Sequence, residues 1–156
     1  MNAKADIETN LKDASTLIRQ AASEGAQLIV TPENTDRIFM DAAKKIETCP
    51  REGEHPGVQH FSNLAKELNV MLLIGSMAVK LSDTKLANRS HFFAADGKLV
   101  TTYDKIHMFD VVLSDKEAYK EIMVDAGQAA ESAAAASESA SEAAEQAQQA
   151  ATAAAG

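Results

Sequence analysis

Basic charge, thiols and long apolar runs are all scarce in this sequence, and each scarcity closes off a class of function. The chain sets 15 Lys and Arg against 23 Asp and Glu, for a formal net charge of −8, and no basic stripe stands out along it. Phosphate neutralisation needs such a stripe, so nucleic acid is not an expected partner. A single cysteine, Cys49, rules out an internal disulfide framework. No apolar segment approaches the roughly 20 residues that span a bilayer, so no membrane partner is expected. The N-terminus lacks the basic, apolar, small-residue order of a secretory signal, which makes the cytoplasm the expected location. Cofactor punctuation is missing as well. There is no Walker loop, no GxGxxG, no HExxH pair among His55, His60, His91 and His107, and no nucleophile elbow for a serine triad. Neither a metal nor another cofactor is expected.

What is present divides into two compositions. Up to Asp125 the chain is mixed, and its 156-residue length with 46% apolar content suits a soluble protein with a real core. From Ala126 to Gly156 there are 16 Ala in 31 residues and four Glu, with no Lys, Arg, aromatic or branched aliphatic residue. Residues 1–125 are therefore read as the body and 126–156 as a low-complexity tail. The tail's Ala, Glu and Gln favour helix, yet it has almost nothing large to bury, so it reads as a solvated helix or a disordered extension.

Within the body, Ile7, Leu11, Ala14, Ile18 and Ala22 recur at helical spacing behind Asp6 as N-cap and ahead of Gly25 as a stop. Gln27 to Thr31 then reads as a short buried strand, the first step of an α/β layer. An irregular charged segment follows, and a second helix carries Val58, Phe61, Leu64, Ala65 and Leu68 into "VMLLIGSMAV". That run is too continuous for a sheet with one wet face and fits a strand covered on both. In "NRSHFFAADGKLVTTYDK" two strand-like runs meet at Asp96-Gly97, a pair that tolerates the positive φ of a tight hairpin.

Three charged residues occupy unusual settings: Glu33 in "TPENTD" after the first strand, Lys105 in "TYDKIHMFD" after the hairpin, and Glu121 in "AYKEIM". Strand carboxyl ends are where α/β sites collect, so an acid and a lysine at two such ends can converge into a general base beside an electrostatic stabiliser. The same residues also read as a turn cap and as a lysine paired with Asp104 or Asp110.

Taken together, "NLKDASTLIRQAASEGAQLIVTPENTD", "LLIGSMAVKLSDTKLANRSHFFAADGKLVTTYDKIHMFDV" and "AYKE" resemble the nitrilase superfamily of carbon–nitrogen hydrolases, and within it the omega-amidase-like and bacterial amidohydrolase branch. The resemblance runs from about Ile7 to Glu121. It implies an αββα sandwich that dimerises, represented here by a partial sandwich without its first strand and second half. It also implies hydrolysis of a small amide substrate through a cysteine thioester, with Glu33 as general base, Lys105 steadying the oxyanion and Glu121 as supporting acid. The family's nucleophilic cysteine follows the second glutamate, whereas this chain has no cysteine beyond position 49. Cys49 reads as a partly exposed bystander, and the chain as inactive. A shifted reading frame or truncated gene would account for the tail; natural fusion to a solvated tail is the alternative. Half a sandwich leaves a sheet face uncovered, from which a homo-oligomer or an aggregate is expected. A non-catalytic binding or assembly protein built on such a remnant is the alternative function.

Overall fold

The computed structural model describes residues 1–38, 42–106, 111–114, 117–119 and 141. Helix α1 (Ile7–Ser23) starts where Asp6 accepts a hydrogen bond from the Thr9 N–H at 2.8 Å and ends at Gly25, whose φ of +94° suits glycine. Strand β1 (Leu28–Val30) follows, then the short helix α2 (Ala42–Thr48) and a single 3-10 turn (Glu52–Glu54). Both of the latter fall in the segment that the sequence reads as irregular. Helix α3 (Pro56–Leu68) has proline in its first turn and ends at Asn69, held in the left-handed region at φ +52°. Strands β2 (Met71–Lys80), β3 (Leu86–Phe93) and β4 (Leu99–Asp104) come next, and β5 (Val111–Ser114) pairs with β6 (Glu117–Tyr119) as a separate two-stranded ribbon.

The four-stranded sheet has the order β1-β2-β3-β4, with β1 parallel to β2 and the other neighbours antiparallel. Parallel β1 and β2 need a crossover, which the segment containing α3 supplies. The β3–β4 hairpin turns at Gly97, φ +86°, and its tip docks on α3 through Ser62 Oγ donating to the Gly97 carbonyl at 2.6 Å. A Cβ at Gly97 would lie 2.6 Å from the Ser62 carbonyl oxygen, so both the turn and the close approach require glycine.

The core lies between one face of the sheet and helices α1 and α3. Leu11, Ala14 and Ile18 of α1 and Phe61, Leu64 and Ala65 of α3 close over Ile29, Leu72, Ile74, Met77 and Phe93. Phe61 and Phe93 are wholly inaccessible, and burying each aromatic side chain contributes about 2–3 kcal/mol. The spacing that identifies the helices in the sequence is thus the spacing of this packed stripe.

The second face corrects two sequence expectations. β1 is not buried on both sides, because Leu28 is 52% and Val30 59% exposed. In β2, Met71, Leu73 and Gly75 alternate as half-buried residues with fully buried Leu72 and Ile74. Both helices that close over the core lie on the same face of the sheet, so among the described residues the opposite face of β1 and the start of β2 has no equivalent cover. A continuous apolar run records what a strand can tolerate on each face, not what covers it.

The register of β2 against β3 shifts between Ile74 and Met77. This bulge changes which residues face the helices: Leu72 and Ile74 before it, Met77 after it. Ala78 is thereby turned to the opposite face with its partner Asn88, and there it packs with Leu86 and Cys49. Cys49 is therefore buried, at 4% exposure, rather than partly exposed, with its thiol donating to the Ala78 carbonyl at 3.1 Å.

Candidate active site

The bulge also builds the platform on which the segment after β1 rests. Gly75 donates its N–H to Thr31 Oγ1 at 3.1 Å, Ser76 Oγ accepts the Asn34 N–H at 2.8 Å, and the Ser76 carbonyl accepts the Thr35 N–H at 2.8 Å. Thr35 Oγ1 closes the turn on the Pro32 carbonyl at 2.6 Å and lies 2.7 Å from Thr31 Oγ1. Asn34 takes φ +55°, a conformation asparagine adopts more readily than most residues. Glu33 is thus held at the crest of a turn with both flanks pinned to β2.

Behind it, Asp36 is fully buried. Its Oδ1 accepts the Ala78 N–H at 3.3 Å, while Oδ2 lies 3.6 Å from Arg37 Nε and 3.4 Å from His55 Nε2. His55 Nδ1 accepts the Gly57 N–H at 3.0 Å and so caps α3. The end of the turn is in this way tied to the start of a core helix.

Lys105 follows β4, which runs in the same direction as β1, so both residues leave carboxyl ends of strands. The ammonium Nζ of Lys105 lies 2.9 Å from Glu33 Oε1, and Asn88 Nδ2 donates to the same oxygen at 2.7 Å. Glu33 is 52% exposed and Lys105 29%, so this pair is accessible to a small molecule and its attraction is screened by water. Asn88 adds a second tie, since its backbone carbonyl accepts the Lys105 N–H at 3.0 Å.

One residue further along β3, Arg89 makes a two-pronged bond to Asp104 at 2.6 and 2.8 Å, and its remaining arm reaches Glu52 at 2.6 Å. Glu52 in turn meets His91 Nε2 at 3.2 Å. Hydrogen bonding to His91 and the charge of Arg89 hold the Glu52 carboxyl below the usual carboxylate range, against burial, which raises it. Asp104 is therefore engaged by Arg89 and Lys105 reaches across to Glu33, while Asp110, the other acid offered as its partner, lies outside the described residues.

Glu121 lies outside the described residues, as do His107 and all of the tail except Ser141. Cys49 packs beneath Ala78 with its thiol pushed up chiefly by burial. Among the described residues no group of three or more His, Cys, Asp or Glu could hold a metal ion, and no helix is long and apolar enough to cross a membrane.

Comparison with known proteins gives a family. The carbon-nitrogen hydrolase model matches residues 1–152. The chain belongs to the carbon-nitrogen hydrolase family. Among curated relatives, the omega-amidase NIT2 of Danio rerio is 35% identical over 123 residues, covering 76% of this chain and 40% of that protein. The deaminated glutathione amidase of Yersinia enterocolitica is 34% identical over 108 residues, with coverages of 68% and 37%. This carbon-nitrogen hydrolase chain therefore spans about two-fifths of the length of the curated relatives it matches.

Solved structures agree on the fold. The NitFhit protein of C. elegans superposes with a TM-score of 0.65 at 22% identity, covering 78% of this chain and 30% of that one. A nitrilase-superfamily member from Saccharomyces cerevisiae gives 0.59 at 26% identity, with coverages of 69% and 41%. A glutamate-to-glutamine mutant of an amidase from Nesterenkonia sp. AN1, showing Michael addition of acrylamide at its active-site cysteine, gives 0.61 at 16% identity, with coverages of 69% and 42%. The mixed α/β architecture is thus part of a nitrilase-type fold. Asn88 is the site residue that sequence reasoning passed over, although it opens the "NRS" motif on which the family resemblance partly rests.

Proposed function

We propose that this chain carries the base and the cation of an amidase site acting on a small linear amide. In this reading Glu33 takes the proton of a cysteine thiol and the thiolate attacks the amide carbonyl. Lys105 steadies the oxyanion, and Glu121 supports the pair. Collapse of the tetrahedral intermediate breaks the C–N bond, and Glu33 returns the proton to the departing amine. Water then cleaves the thioester to give the carboxylic acid. The observation that carries the reading is the Glu33 carboxylate held 2.9 Å from the Lys105 ammonium at an accessible pair of strand ends. The amidase names of the relatives support the substrate class.

Cys49 does not fit the nucleophile's part. It is buried, bonded to the Ala78 carbonyl, and raised in pKa by burial, the opposite of an activated thiolate. Since it is the chain's single cysteine, the chain by itself has no amidase turnover in this reading. In the same reading residues 1–125 are the partial carbon–nitrogen hydrolase domain and 126–156 a low-complexity tail.

Ammonia release from a small ω-amide by the purified chain is expected to match the uncatalysed rate. Hydrolysis that vanished in Glu33→Gln would overturn the claim of inactivity and keep the base. A fusion supplying the remaining length of the Danio rerio omega-amidase tests the positive half: its turnover should fall about 10²–10⁴-fold in Glu33→Gln. An active fusion indifferent to that change would remove Glu33 from the mechanism.

Exposed Leu28 and Val30 favour a second reading, a non-catalytic assembly protein that uses the open sheet face. Light scattering after size exclusion separates the two, since a monodisperse dimer supports assembly and heterogeneous aggregates support an incomplete enzyme.

A further inference from the structure

Both donors that reach Glu33 take the same atom. Asn88 Nδ2 at 2.7 Å and Lys105 Nζ at 2.9 Å converge on Oε1, and among the described residues no donor bonds Oε2. A carboxylate oxygen saturated by two donors is a poor proton acceptor, whereas its twin keeps both lone pairs. Asn88 is itself 4% exposed and sits in the ladder opposite Ala78, so its side chain cannot wander. Its carbonyl meanwhile holds the Lys105 backbone at 3.0 Å. One residue of β3 therefore fixes both members of the pair, the acid through its side chain and the lysine through its main chain.

We infer that Asn88 is a positioning residue for the Glu33–Lys105 pair, locking Oε1 onto the ammonium and leaving Oε2 as the proton-accepting atom. This assignment rests on the functional reading above only in calling Oε2 the basic atom; the positioning itself is a property of the folded chain. It also explains why an amide is used rather than an acid or an amine at position 88. The NH₂ group donates to a carboxylate without adding a charge that would compete with Lys105. Aspartate would place a second negative charge against Glu33, and lysine would offer Glu33 a second ammonium.

The test is zero-length cross-linking with a water-soluble carbodiimide, which joins a carboxylate to an amine only when the two are already in contact. Glu33–Lys105 linkage is quantified by peptide mass spectrometry, with the Lys4–Asp13 pair, 3.6 Å apart between the N-terminal segment and α1, as internal control. In Asn88→Leu the Glu33–Lys105 yield should fall about fivefold, the population ratio set by one net hydrogen bond, while Lys4–Asp13 linkage stays unchanged. Asn88→Asp keeps the side-chain volume and should give the same loss, so it carries the test if the leucine variant disturbs the control. Unchanged Glu33–Lys105 yield in a variant with an intact control would overturn the inference. Loss of the control in both variants would overturn it too, by showing Asn88 to be a requirement of the fold. Because no turnover is read, a failure here is distinct from a failure of the amidase assignment, which the fusion enzyme decides.

Discussion

Replacing Gly75 by alanine should reach the Glu33–Lys105 pair without touching either residue. A Cβ built at position 75 would stand 2.3 Å from the Thr31 carbonyl oxygen and 2.6 Å from the carbonyl carbon and oxygen of Pro32. Ordinary contact begins near 3.4 Å, so the backbone of the turn must retreat by about 1 Å. The obstructing atoms are main chain, which cannot rotate away as a side chain would. Overpacking of this kind costs about 1–3 kcal/mol, and the upper end applies because the Thr31 Oγ1, Thr35 and Asn34 bonds to Gly75 and Ser76 all stretch together. Urea unfolding should show a midpoint lowered at unchanged slope. The carbodiimide linkage of Glu33 to Lys105 should drop in parallel, since a 1 Å shift of the turn takes Oε1 out of reach of an ammonium now 2.9 Å away. A variant within about 0.5 kcal/mol of the parent, the ordinary scatter of surface changes, with undiminished linkage would refute the account of how β2 carries the turn.

The other predictions concern the core, pH, the thiol and the open face. Phe61→Ala empties a wholly buried site between α3 and the sheet and should cost about 3–5 kcal/mol in urea unfolding. Glu52 has its pKa depressed in the folded chain, so its contribution to stability is present above its unfolded value near 4.5 and is lost as pH falls through the lower folded value. Unfolding midpoints measured down to acid pH should therefore decline less steeply in Glu52→Gln than in the parent. Native Cys49 should react with a thiol reagent far more slowly than the urea-unfolded chain, because burial both shields it and raises its pKa; equal rates would contradict its position under Ala78. The double variant Leu28→Lys, Val30→Lys should reduce the apparent mass in concentrated solution, as read by light scattering, since both side chains are more than half exposed.

The helices were legible because their apolar spacing is a direct image of one packed stripe, and the hairpin because Asp96-Gly97 encodes its turn locally. Helix α2 was not, since "AAKKIET" is only seven residues long and too short for a period to show. The burial of β1 was misread for a different reason: Leu28-Ile29-Val30 specifies strand, but exposure depends on what packs against each face. The same limit applies to the site. Glu33 and Lys105 stand out as charges after strands, a one-dimensional signal. The work of Asn88 depends on a partner 55 residues away in the chain, and that of Gly75 on a bulge that no single residue announces.

Strand β1 is three residues long, stands at an edge of the sheet among the described residues, and passes directly into the turn that bears Glu33. Its inner side is tied to β2, with Thr31 N–H reaching the Leu73 carbonyl at 3.0 Å; its outer side offers the peptide groups that a further strand would need. Any segment that paired there would restrain the peptide from which the carboxylate is hung. By linkage, a ligand that engages the Glu33–Lys105 pair must then tighten the grip on that edge by the same factor that the edge tightens its own binding. Strand addition and ligand capture would be two readings of one equilibrium, measurable from either end.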